Sequence, residues 1–291
     1  MFKTLFLVTV AMVAFAANSL LCRMALANAS IDPASFTMLR LTSGALALIV
    51  LSFLSMRRSV ITGREQRLWH GLKINGTLLG GASLFLYALC FSYAYISMST
   101  GTGALLLFGA VQLTMISFGL LKGERFKALQ WLGFTLAFIG LLILLLPSAS
   151  APPIKAAIVM VAAGVAWGVY SLLGKKSKSA LLATSGNFIY ASVLCIPLAC
   201  IVMLLNGNKL VVETNGVLLA LLSGVFASGC GYATWYSVLP LIKSTTAATV
   251  QLSVPVLATL MGWVILGEQL SVQVVIASIM TLGGIYLVIK K

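Results

Sequence analysis

In a chain that is 60% hydrophobic and 8% charged, the polar side chains that interrupt long apolar runs are the ones with chemistry to do. Each is costly at hydrocarbon depth unless it faces protein or a cavity. Asn18, Gln112 and Gln251 carry amide donors and acceptors suited to a zwitterion or an amide, and equally suited to gluing helix to helix. Tyr87, Trp167, Tyr232 and Trp235 lie deep in apolar segments, where rings can wall a pocket for apolar or aromatic solutes, stack on cations, or only pack. Trp131, Trp263, Tyr93, Tyr95 and Tyr286 sit near segment ends and read as interfacial anchors. Arg23 and Arg40 stand toward one end of their segments, and each either snorkels to headgroups or contacts a carboxylate or phosphate.

The chemistry these residues exclude is as informative. The acids are Asp32, Glu65, Glu124, Glu213 and Glu268, and none is mid-segment, so neither a buried carboxylate pair for hydrolysis nor a membrane-centre proton carrier is in view. Glu124 and Glu268 each follow a glycine at a segment end, the pattern of a helix-end turn whose carboxylate binds loop amides. The one histidine, His70, falls in a polar loop. Cys22, Cys90, Cys195, Cys200 and Cys230 lack metal-ligand spacing and read as buried thiols, and no phosphate-binding loop is present. No metal, cofactor or catalysis is expected. A formal charge of +14 raises the question of nucleic acid, but the basic residues cluster at segment ends without any binding motif, as membrane topology would place them.

The elements that must position these residues are membrane helices. A helix needs about 20 apolar residues to cross the hydrocarbon core, and the chain predicts ten such spans, approximately 3–27, 34–56, 74–96, 101–121 and 128–146, then 154–174, 181–205, 217–242, 246–266 and 272–289. Lys3 and Ala14-Phe15-Ala16 imitate a cleavable signal. Retention is expected, because the apolar run continues to Ala27 and is copied later. Ala11–Arg23 repeats as Ala163–Lys175, with Ala11, Val13, Ala14, Ser19, Leu20 and Leu21 identical at an offset of 152. Tyr87-Ala88, Ser92 and Ser99-Thr100 return at an offset of 145, and Gly123-Glu124 returns as Gly267-Glu268. Two homologous five-helix halves follow, 1–146 and 154–291, separated by a linker at 147–153.

Five is odd, so the halves run in opposite directions through the bilayer. With the first span entering from inside, all but Arg23, Arg40, Lys155 and Lys209 of the nineteen basic residues are cytoplasmic, as the positive-inside rule requires. Both termini are then cytoplasmic. Inverted repeats of this kind recur in secondary transporters, with the solute site near the midplane between the halves.

The chain also resembles, end to end, the EamA-type ten-helix branch of the drug/metabolite transporter superfamily. The resemblance rests on the tandem halves, Trp167-Gly168, Ser253-Val-Pro255 followed by Gly267-Glu268-Gln-Leu, and Gly283-Gly284-Ile-Tyr-Leu. It implies an all-α protein of a bacterial inner membrane that exports or exchanges amino acids, other metabolites or drug-like solutes through a cavity lined by spans 1, 3, 4, 6, 8 and 9. Its partners are then a small molecule and the lipid bilayer. Val111 stands where the second half has Pro255, so a gating bend is expected only at Pro255. Three rivals remain. A channel would need a continuous polar lining, a lipid flippase would need several cations in the cavity, and a membrane enzyme would need a catalytic cluster.

Reporter fusions test the topology. Fusions after Lys127 and Lys178 are expected to report cytoplasm, and those after Pro153 and Gln269 the exterior; a cytoplasmic signal at Gln269 contradicts inversion.

Overall fold

The structure is a computed structural model and describes residues 2–56, 71–72, 75–121, 123, 127–146, 151–174, 179–206, 210–238, 241 and 250–289. Glu124, His70 and most of the basic loops expected to be cytoplasmic lie outside those residues. Within them the chain forms ten long helices: α1 Phe2–Ala27, α2 Pro33–Met56, α3 Leu78–Tyr95, α4 Thr100–Leu121, α5 Ala128–Leu144, α6 Ile154–Gly174, α7 Ala180–Asn206, α8 Thr214–Val238, α9 Ser253–Leu266 and α10 Val272–Ile289. Seven are long and apolar enough to cross a membrane, while α5, α9 and α10 are shorter apolar helices. Exposed Leu, Ile, Val and Phe side chains cover the outside of the bundle, the surface a lipid solvent selects.

Local chemistry sets the boundaries. At the start of α2, Asp32 Oδ1 accepts from the backbone N–H of Ala34 and Ser35 at 3.1 and 2.9 Å, and Pro33 occupies the first helical position, where its missing N–H costs nothing. The third span begins later than expected because Thr77 caps α3, its hydroxyl accepting from Gly80 N at 3.0 Å. Pro255 explains the start of α9. Its ring displaces the carbonyl four residues back and cannot bond to it, and helical residues 250–251 give way to a turn at Leu252 before α9 resumes at Ser253. At the other end Gly267, in the left-handed region at φ 64°, terminates α9.

Most of the packing is between the halves. α1 packs on α8 and α9, and α6 packs correspondingly on α3 and α4; α2 meets α8 as α7 meets α3; α2·α7, α4·α9 and α5·α10 pair homologue with homologue. Exchanging each helix for its partner five places on leaves this set unchanged, which is the contact pattern of a pseudo-two-fold axis. For halves of five spans that axis lies in the membrane plane.

Close approach comes from small residues, since apolar surface gives no drive to associate in lipid. A Cβ on Gly164 of α6 would lie 2.6 Å from Ala110 Cβ and 2.7 Å from Leu107 O of α4. Gly76 and Gly186 pack backbone to backbone in the same way, whereas Gly123 has nothing within 4 Å. Gly164→Val is expected to cost about 1–3 kcal/mol by overpacking, read as a lowered unfolding midpoint in micelles. Gly283→Ala, which meets open space, serves as the neutral control.

Candidate functional site

Arg40 is the largest polar side chain of the interior, and only 1% of it is exposed. Seven residues into α2, about 10 Å at 1.5 Å per residue, it does not snorkel outward but turns into the bundle. Its Nε donates to Ser228 Oγ at 2.9 Å, and Nη2 donates to the hydroxyls of Tyr87 at 3.1 Å and Tyr232 at 2.8 Å. Its Cζ stands 5.2 Å from the Tyr87 ring centroid and 5.0 Å from that of Phe91. A charge at helix centre costs about 3 kcal/mol on insertion scales. Hydrogen bonds to a charged group recover about 1.5–3 kcal/mol each, so the three bonds and two rings offset burial without a carboxylate. Among the described residues none lies within ion-pair distance; the single ion pair joins Arg23 and Glu268.

Both halves build this centre. Tyr87 of α3 and Tyr232 of α8 are the equivalent residues of the two repeats, and their hydroxyls meet at 3.1 Å. Asn18 Nδ2 donates to Tyr87 Oη at 3.3 Å, and Asn18 Oδ1 accepts from Ser223 Oγ at 2.6 Å. The two serines come from a π-helical segment, Ser223–Cys230, in the middle of α8. Residues five apart on an α-helix point about 140° away from each other, whereas i→i+5 bonding brings them toward one side. The widened turn thus presents Ser223 to Asn18 and Ser228 to Arg40. A side chain on Gly224 would collide with Arg40 O and Ser43 Oγ, so only glycine admits α8 this close to α2.

An aromatic shell closes over the cluster. Trp167 of α6 lies 4.8 Å from Tyr87, 4.7 Å from Tyr232 and 5.8 Å from Phe15, ring centroid to centroid. These rings, with Asn18 and Leu107 and Phe108 of α4, enclose a cavity of about 10 Å³, room for about one water. The centre is therefore occluded. Two larger recesses, about 540 Å³ beside α4, α5 and α6 and about 570 Å³ beside α1 and α8, have almost wholly apolar walls and lack the convergent polar groups of a recognition site.

A second polar group joins the helix ends assigned to the exterior. Glu268, just beyond α9, accepts from the backbone N–H of Thr100 at 3.0 and 2.8 Å, capping the N-terminus of α4. Its Oε1 is 3.4 Å from Arg23 Nε, and Arg23 Nη1 donates to the carbonyls of Tyr95 and Ile96 at 2.9 Å each. Four helix ends, those of α1, α3, α4 and α9, are held by these two side chains. Beside them, the α1–α2 and α7–α8 connections join through Asp32 N to Val211 O at 2.9 Å and Glu213 N to Ser30 O at 2.8 Å.

Of the residues singled out in the sequence, Asn18, Tyr87, Trp167 and Tyr232 converge on the cavity. Trp235 is buried against Phe15, and Gln112 and Gln251 are buried without being among the residues that line it. Pro255 is buried in the first turn of α9. Trp131, Trp263, Tyr93 and Tyr286 are roughly half exposed, as anchors should be, but Tyr95 is not. It is fully buried, 4.7 Å from Phe91, and donates to Thr100 O at 3.2 Å, because the C-terminal end of α3 is covered by α4. Likewise Cys200 is exposed rather than buried, on the outer face of α7. Sequence reasoning missed Ser223, Ser228, Phe15 and Phe91. The two Ser-Gly pairs five residues apart, 223–224 and 228–229, are the one sequence feature that marks the π segment.

Ten helices in two interlocked repeats around an occluded polar centre define a multi-pass membrane protein of the transporter kind. Comparison with known proteins makes this specific. The EamA-like transporter family model matches residues 2–146 and 154–290, and the chain belongs to that family. It is 49% identical over 99% of its length to an uncharacterized protein of Pseudomonas aeruginosa, 94% of which is covered. It is 28% identical over 76% of its length to an uncharacterized transporter of Archaeoglobus fulgidus, with 76% of that chain covered. It is 25% identical over 74% of its length to a probable amino-acid metabolite efflux pump of Salmonella typhimurium, with 77% covered. A crystal structure sharing 18% identity superposes with a TM-score of 0.65 over 98% of this chain and 96% of that one, a likeness of fold. The protein is thus a membrane transporter, a class that is usually not enzymatic.

The outer tie is asymmetric, and so are its expected mutants. Glu268→Ala strands the Thr100 amide and removes the counter-charge of Arg23, which keeps its two carbonyls, and should cost about 2–3 kcal/mol, whereas Arg23→Ala leaves Glu268 on its amide and should cost about 1 kcal/mol. Unfolding midpoints in micelles measure both; the reverse order rejects the capping role.

Proposed function

We propose that the protein is a secondary transporter of a bacterial inner membrane, with both termini cytoplasmic, that exports or exchanges small organic metabolites by alternating access. The observation that carries this reading is the Tyr87–Tyr232 contact. Equivalent residues of two halves meet across the pseudo-two-fold axis beside a closed cavity, so a movement of one half on the other parts them and opens the centre. The occluded cavity and the outer tie between Glu268, Thr100 and Arg23 fit a resting state shut toward the exterior. Asn18, Tyr87, Trp167 and Tyr232 form the solute site, with Gln112, Gln251 and Trp235 in supporting positions, and the break before Pro255 acts as a hinge. The halves that move are 1–146 and 154–291, joined by 147–153.

No acid of the described residues stands at the centre, which favours facilitated diffusion or exchange over proton coupling.

Counterflow in proteoliposomes, run with labelled amino acids, carboxylates, amines and nucleosides, tests the reading. Trp167→Ala should slow exchange about tenfold, the equivalent of 1.4 kcal/mol of lost ring contact, with normal folded yield, while the exposed Trp131→Ala should leave it unchanged. Collapse of the proton gradient should also leave counterflow intact. Exchange unaltered by Trp167→Ala returns that ring to packing, and uphill accumulation driven by a pH gradient replaces exchange with proton antiport.

A further inference from the structure

The hydrogen-bond accounting at the centre does not balance, and apart from the Ser19 hydroxyl, which also lines the cavity and can donate or accept, the surplus is of donors. Arg40 brings a full positive charge, and no carboxylate of the described residues meets it. Its Nη1 is buried and has no acceptor among the described residues, and neither has the buried indole N–H of Trp167. Tyr87 Oη faces three donors, Arg40, Asn18 and Tyr232, one more than its two lone pairs accept, and its own proton is given to no described residue. On the acceptor side, Asn18 Oδ1 is already engaged by Ser223. A buried cluster rich in donors and carrying unneutralised charge is complementary to an anion.

We propose that this centre receives the carboxylate of an organic monoanion, bound by the guanidinium fork of Arg40 and the hydroxyls of Tyr87 and Tyr232; the assignment rests on the transport reading and names its substrate class. One unit of charge is unmatched, so one carboxylate restores balance. Nη1 and Nη2 present two parallel N–H groups to it, the geometry that guanidinium and carboxylate share. Nη2 is held by the two hydroxyls that must separate when the halves move, so opening the centre frees the whole fork. The rings of Phe15, Phe91 and Trp167 around the cavity suit an apolar body behind the carboxylate. An ammonium group finds no anionic partner among these residues, which sets a monocarboxylate ahead of a zwitterion and well ahead of a cation.

Four ligands of one shape separate these classes: 3-phenylpropionate, its neutral amide, phenylalanine and phenethylamine. Titrated against the full-length protein in micelles and followed by tryptophan fluorescence, 3-phenylpropionate is expected to bind at least tenfold more tightly than the amide, phenylalanine in between, and phenethylamine least. Tyr87→Phe and Arg40→Lys should each reduce the preference for the anion, the lysine because it keeps charge and loses the fork. Equal binding of amide and anion by the wild-type protein overturns the assignment without any variant, as does tighter binding of phenethylamine, or displacement by chloride alone. Counterflow of the same four compounds separates this inference from the transport reading. Exchange of the amine in preference to the anion leaves transport standing and refutes the carboxylate; binding of the anion with no exchange of any solute keeps the carboxylate centre and refutes transport.

Discussion

A guanidinium buried in a low-dielectric bundle, with no carboxylate of the described residues beside it, is the constraint on which the centre of this protein depends. Arg40 cannot be left bare, because an unsatisfied charge at that depth outweighs the packing of several side chains. Its neighbours must bring oxygen atoms, and they come from α3 and α8, one helix of each half. α8 can supply Ser228 as well as Tyr232 only by approaching α2 at a glycine and widening into a π turn. The irregularity in α8 is thus the local cost of satisfying a residue on another helix.

The second constraint acts at the membrane surface. The first turn of α4 leaves backbone N–H groups without intrahelical partners, and Glu268 from the other repeat answers one of them while Arg23 holds its charge. An intrahelical cap would have stabilised α4 alone. Supplying the cap from the far half makes the integrity of one helix end conditional on the relative placement of the two halves. By sequence each participant has an equivalent in the opposite repeat, Lys175 for Arg23, Glu124 for Glu268 and Thr245 for Thr100; those three lie outside the described residues.

How much of this was legible in the sequence follows from what periodicity can report. Span lengths, the duplication and the odd number of helices per half are one-dimensional facts, and they suffice for the two-repeat helical architecture. Depth along a span is also legible, which is why Asn18, Tyr87, Trp167 and Tyr232 were recognisable as residues of the centre. Facing is not. These helices are apolar all round, so no amphipathic stripe distinguishes lipid from interior. Tyr95, read as an interfacial anchor from its nearness to a span end, in fact turns inward, as does Arg40, for which position left snorkelling and an anion contact both open, and Cys200, read as buried, turns outward. The π segment was hidden for a related reason: hydrogen-bond register leaves little trace in composition, and here only the spacing of two Ser-Gly pairs betrays it.

The Tyr87–Tyr232 pair shows why duplication and function fit together in this architecture. A residue beside a pseudo-two-fold axis meets its own counterpart, so one ancestral tyrosine supplies both walls of the centre. Two hydroxyls facing each other can form only one mutual hydrogen bond, and one proton is always left over. Symmetry therefore builds in a frustrated contact: it is adequate when the halves are closed, yet has a donor to spare for anything that enters between them. Arg40, whose equivalent position lacks a second arginine in α7, breaks that symmetry in charge. The pair gives the centre two equal leaves, and the single guanidinium gives it a polarity that neither leaf has alone.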